Sequence, residues 1–183
     1  SRVTVSSNSK FKLNSKLDLT TVFWWDNFGQ KIETYSDLSF SKITESQQDR
    51  DITLGGRASL IYKLNENHSL LGVVNFSATS HNEIILNASG GQISDFDYSQ
   101  NFLSSGLEYS YRYEEFSILG GGVFDLSMIN KTGAFTQYGN TSTSAPGVFA
   151  SAAWEVSPGW EVFAGVTYRN RFPSLRESFS GAL

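Results

Sequence analysis

The chain has 183 residues, no cysteine, 3 prolines and 39% hydrophobic residues, a length that fits one domain or a piece of one and a composition too apolar for a disordered tail. The missing cysteines exclude a disulfide-stapled module and a thiolate metal site, and a net charge of −4 with no dense basic run gives no footprint for nucleic acid. No run approaches the roughly 18 apolar residues of a membrane helix, but a mean hydropathy of −0.24 is compatible with a membrane barrel, whose strands alternate and average out.

At the N-terminus no basic stretch precedes an apolar one, so any signal peptide is expected to be absent or already removed. From Lys10 to Trp25 the odd positions read Phe11, Leu13, Leu17, Leu19, Phe23 and Trp25 against Lys10, Lys12, Asn14, Lys16 and Asp18. This period of two predicts strands near 2–13 and 17–27, joined by a tight polar turn.

A similar cluster, Tyr62-Lys63-Leu64-Asn65-Glu66-Asn67-His68, separates the next two alternating stretches. Ile52, Leu54, Gly56, Ala58, Leu60 and Tyr62 share one face before it, and Leu70, Gly72, Val74, Phe76 and Ala78 share one after it. A third pair runs from Phe102 to Met128 around Glu114-Glu115, and a fourth from Val148 to Tyr168 around Ser157-Pro158-Gly159. Four hairpins in series predict an all-β fold, an antiparallel up-and-down meander of about eight strands.

The stretches 28–48, 84–97 and 130–146 are polar and read as long loops. Short turns on one rim and long loops on the other favour a segment of a transmembrane β-barrel over a soluble β-sandwich. Because a charge at the midplane of a barrel's outer face costs about 2–4 kcal/mol, Arg57, Asp125 and Arg169 are expected to face the lumen. Phe11, Tyr62, Tyr113, Phe116, Trp154 and Trp160 beside the short turns, and Trp24, Trp25 and Tyr168 toward the loops, fit two interfacial girdles.

Directly after the last amphipathic strand comes Arg169-Asn170-Arg171-Phe172-Pro173-Ser174-Leu175-Arg176-Glu177. This resembles the Arg-Phe-Pro-Ser-Leu-(Arg/Lys)-Glu box of TonB-dependent outer-membrane receptors. Leu119-Gly120-Gly121-Gly122-Val123-Phe124-Asp125 is similar to that family's Gly-x-Arg-Tyr-Asp strand, with the arginine replaced. His68-Ser69-Leu70-Leu71-Gly72-Val73 is similar to the strand start that precedes its receptor loops.

The resemblance implies that residues 1–183 are a segment of a larger receptor barrel, with the plug domain and the C-terminal strands lying outside it. It further implies an outer-membrane location in a Gram-negative bacterium and energy-coupled transport of a scarce nutrient of the ferric siderophore, haem or cobalamin class. The implied partners are the bilayer, the receptor's own plug, TonB and a small metal chelate. A complete small outer-membrane barrel with an adhesion or structural role is the alternative.

Physically, Pro173 lacks an amide hydrogen and ends the ladder. Arg169, Arg171 and Arg176 are then expected near the upper lumen, meeting plug carboxylates or an anionic ligand.

Other chemistry finds no support. His68 and His81 fall toward opposite rims, so no joint metal site is expected; Asp95 and Asp97 read as solvated loop charge. The glycine runs precede no helix and cradle no phosphate, and no serine has a His-Asp partnership. The sequence therefore points to no enzyme, no catalytic residue, no resident metal and no cofactor.

Overall fold

The computed structural model describes residues 1–133 and 140–173. Within them eight strands follow one another: β1 (Arg2–Lys12), β2 (Leu17–Tyr35), β3 (Ile43–Lys63), β4 (His68–Asn87), β5 (Gln92–Tyr113), β6 (Phe116–Thr132), β7 (Thr141–Ser157) and β8 (Trp160–Tyr168). Each pairs antiparallel with the next in a single sheet of order β1 to β8. The predicted all-β meander is the observed fold.

Among the described residues β1 pairs only with β2 and β8 only with β7, so the sheet is open. A closed small barrel would need a β8 to β1 ladder, and these strands form none.

Register follows from the short turns. In the first, Asn14 Oδ1 accepts a hydrogen bond from the Lys16 amide (2.8 Å); in the second, Asn65 Oδ1 accepts from the amides of Asn67 (2.9 Å) and His68 (3.0 Å). The Leu-Asn similarity seen in the sequence is thus one device used twice, an asparagine side chain standing in for a turn carbonyl. With each turn pinned, the row of paired residues that begins at Leu17 runs through Tyr62, Leu70, Tyr109, Gly120 and Ala150. It meets β8 at Val166, six residues beyond that strand's start at Trp160. Such a progressive stagger is the shear that tilts strands in a barrel wall.

The same register sorts the side chains. One face carries Val5, Phe23, Leu54, Val74, Leu107, Phe124, Val148 and Val166 in neighbouring rows, all exposed in the isolated sheet. The opposite face carries Thr4, Asp26, Thr53, Arg57, Asn75, Ser104, Asp125 and Arg169, so the three charges expected inside share the polar face. Phe11, Tyr62, Tyr113, Phe116, Trp154 and Trp160 all fall on the apolar face beside the short turns, with Trp160 73% exposed. A sheet with one wet and one greasy face and almost no buried core suits a wall between lipid and water.

Two expectations need correction. The stretches 28–48 and 84–97 are mostly strand: β2 continues to Tyr35 and β3 starts at Ile43, while β4 and β5 are separated only by residues 88–91. In the third stretch β6 runs to Thr132 and β7 begins at Thr141, with 134–139 outside the described residues. These strands reach 17 to 22 residues, where about 9–11 cross a bilayer. In these outer stretches both faces are largely polar, so the hydrophobic alternation disappears while the backbone ladder persists.

Trp24 is the second correction, for alternation allows only one of two adjacent tryptophans on the apolar face. Trp25 takes it. Trp24 lies over its polar-face partner Gly55, where a Cβ would stand 2.1 Å from Trp24 Cζ2.

Leu107, midway along the apolar face of β5, generates the first prediction. Leu107→Arg is expected to destabilise the full-length protein by about 2–4 kcal/mol in lipid vesicles, measured by urea unfolding, with Thr79→Arg on the polar face costing much less. Likewise Gly55→Ala should destabilise by about 1–3 kcal/mol through overpacking and become nearly neutral in a Trp24→Ala background.

Candidate functional site

Past Tyr168, the last residue of β8 and the register partner of Val148, the chain leaves the ladder and folds across the polar face. Arg169 reaches over β7 to Asp125 on β6: Nε donates to Oδ2 (3.0 Å) and Nη2 to Oδ1 (3.1 Å). This two-pronged pairing uses the planar fork of the guanidinium.

The crossing depends on small residues. Ala145 and Gly147 of β7 face Asp125 and Val123 in the register, and a Cβ on Gly147 would lie 2.8 Å from Val123 Cγ2, 3.0 Å from the Tyr168 carbonyl oxygen and 3.4 Å from Arg169 Cγ. Asp125 is only 2% exposed, and Ser104, its register partner on β5, also hydrogen-bonds its carboxylate. A buried carboxylate without such partners would be costly.

Farther on, Phe172 packs edge-on against Phe102 of β5, with ring centroids 6.2 Å apart. The Pro173 carbonyl accepts from Gln100 Nε2 at 3.1 Å, and the same amide reaches Ser127 Oγ at 2.9 Å. Residues 169–173 therefore cross from β8 over β7 and β6 to β5. The segment is strapped to the wall at three points.

Of the three arginines expected at the lumen, Arg169 is held by the wall itself, an arrangement the sequence did not suggest. Arg171 is exposed in the same strap, and Arg176 lies outside the described residues.

A second polar cluster sits at the far end of β3, β4 and β5. Asp49, 6% exposed, accepts from Gln30 Nε2 (2.6 Å) and Gln47 Nε2 (2.9 Å). Glu83 is its register partner, and two residues along the ladder Asp51 pairs with His81. His81 Nδ1 is hydrogen-bonded to Asp51, Nε2 stands 3.9 Å from Glu83 Oε2, and the ring packs on Tyr98 with centroids 5.6 Å apart.

His68 and His81 do lie toward opposite ends of β4, as expected. Asp95 and Asp97, read as loop charge, are on β5, where both accept from Asn82 Nδ2 (2.8 and 3.1 Å). Lys131, then Asn82, holds the Asp97 carboxyl below its ordinary range, and at the tip of β2 an ion pair with Lys31 and a hydrogen bond from Tyr35 do the same for Glu33.

Known structures share this architecture. The chain superposes on the copper transporter OprC with a TM-score of 0.78 at 12% identity, over 94% of this chain and 31% of that one. On the ferric citrate transporter FecA in its unliganded form the TM-score is 0.67 at 15% identity, over 90% of this chain and 26% of that one. The chain has the fold of part of a TonB-dependent receptor barrel. It spans about a third or less of each of these transporters. No family model and no curated protein matches the sequence.

The Arg169–Asp125 pair is open to a direct test. Arg169→Ala, which leaves Asp125 buried without its cation, is expected to destabilise the full-length protein by about 1.5–3 kcal/mol. Arg169→Ala with Asp125→Asn should lose less than the sum of the two single changes, as read by denaturant midpoints in detergent.

Proposed function

We propose that this chain forms part of the wall of an outer-membrane active transporter that takes up a scarce nutrient of the ferric siderophore, haem or cobalamin class and is energised through TonB. The observation that carries the reading is the open, staggered, two-faced sheet, whose fold matches barrel segments of two transporters, together with the strap at 169–173. The apolar face meets lipid, and the polar face lines the lumen that a plug domain fills. Among the described residues β1 and β8 each have one unpaired edge, which suits neighbouring barrel strands, since a strand edge in hydrocarbon leaves backbone amides without partners.

In this reading the work is done by binding and conformational gating. The chain is a non-enzyme component with no catalytic residue. Arg169 fixes the strap, while Arg171 and Arg176 meet the plug or an anionic nutrient chelate at the lumen mouth. The alternative of a complete small barrel with an adhesion role is disfavoured, because the described residues form no β8 to β1 ladder.

The test uses the full-length protein in a Gram-negative host stripped of its own receptors. Uptake of labelled ferric siderophores, haem or cobalamin should appear with the protein and vanish when TonB is deleted. Uptake of all three classes at the same rate with and without the protein sinks the proposal.

A further inference from the structure

The cluster at Asp49, His81 and Glu83 belongs neither to the strap nor to the girdles. One ligand atom from each of the three lies within 4.8 Å of the other two. All three project from the polar face, because Asp49 and Glu83 are register partners and His81 stands two residues before Glu83 on an alternating strand. The set is an imidazole and two carboxylates, the mixed nitrogen and oxygen donors that suit zinc-like divalent transition metals, with bonds of about 2.0–2.2 Å.

Its surroundings are those of a supported site. Asp51 holds His81 Nδ1, which fixes the ring and leaves Nε2 on the side of Glu83, the carboxylate–histidine arrangement that orients a metal-bound imidazole. Gln30 and Gln47 each donate to one oxygen of Asp49, so that carboxylate is aimed while further lone pairs remain available. Tyr98 packs beside the imidazole, its ring tilted by 44°. Glu83 and His81 stay partly exposed, which leaves an approach for an ion and for water as a fourth ligand.

We infer that Asp49, His81 and Glu83 form a binding site for a divalent transition-metal ion on the polar wall, oriented by Asp51. Only the biological use of the site, capture of a metal or metal chelate at the lumen mouth, rests on the transporter reading. The chemistry of the site stands without it.

Zinc titration of the full-length protein in detergent, after removal of metals with a chelator, tests the inference by calorimetry. The expected result is a saturable site that weakens at least about tenfold in His81→Ala and in Glu83→Gln, and by about 10–100-fold in Asp51→Asn, the usual loss for an outer-shell partner. Asn82→Ala, which changes the opposite face of β4, should leave the affinity unchanged. With cobalt as the probe, the visible absorption bands of the bound ion should change on replacing His81 and not on replacing Asn82.

Heat-modifiable gel migration establishes that each variant is folded, and Asp51→Asn provides a reading that leaves all three ligands in place. Zinc binding that is absent from the wild-type protein, or equal in wild type and folded His81→Ala, overturns the site. Because the titration needs neither TonB nor transport, its failure leaves the uptake experiment to be decided separately.

Discussion

A backbone amide in hydrocarbon has no water to turn to, so a strand that crosses a bilayer must find its hydrogen-bond partners on the neighbouring strand. In the transporter reading, that constraint underlies the rest of this sheet. Once the ladder is obligatory, side chains alternate between its two faces, and a slip of one residue would exchange the apolar face with the polar one. The tight turns at 13–16, 64–67, 114–115 and 158–159 are where the slip is prevented. Two of them are held by an asparagine side chain hydrogen-bonded to the turn backbone.

The parts of the structure visible in the sequence are those that this alternation writes into composition. Leu54, Ala58, Leu60 and Tyr62 on β3 and Trp160, Val162, Ala164 and Val166 on β8 announce both the strand and its apolar face. The outer halves of β2 to β5 carry no such mark. Gln47, Asp49 and Asp51 alternate with Gln48, Arg50 and Ile52, a polar row against a mostly polar row, and that pattern looks like loop. What keeps these residues in strands is the ladder extending from below and polar pairing across it, as between the Thr53 and Thr79 hydroxyls at 3.2 Å.

The sites were legible to different degrees for the same reason. The box at 169–173 stands in one short stretch, so a break in the strand could be read locally, although the ladder ends at Tyr168 and not, as expected, at Pro173, because Arg169 already turns away to Asp125; its partners Asp125, Phe102 and Gln100 lie 44 to 73 residues away in sequence. Asp49, His81 and Glu83 are separated by a turn and most of two strands. The signal that could have joined them is the hairpin itself. In the β3 to β4 ladder every residue a given distance before Glu66 faces the residue at the same distance after it, and on that count Asp49 meets Glu83 and Asp51 meets His81. The count needs both strands to be long, which the polar composition of 28–48 and 84–97 concealed.

The polar face also shows how such a sheet manages its own charge. Asp26 is paired with Arg2 and hydrogen-bonded by Thr4, and Asp125 is paired with Arg169 and hydrogen-bonded by Ser104, so each has a cation and a hydroxyl supplied by the chain itself. Asp49 has two neutral amides instead, with the His81 imidazole beside it. A carboxylate that is almost wholly buried and supported by donors without full charge has electrostatic demand left over. At Asp26 and Asp125 that demand is met internally and serves to hold strands and strap in place. At Asp49 it is left on the polar face, where the divalent cation proposed above is the group best able to satisfy it.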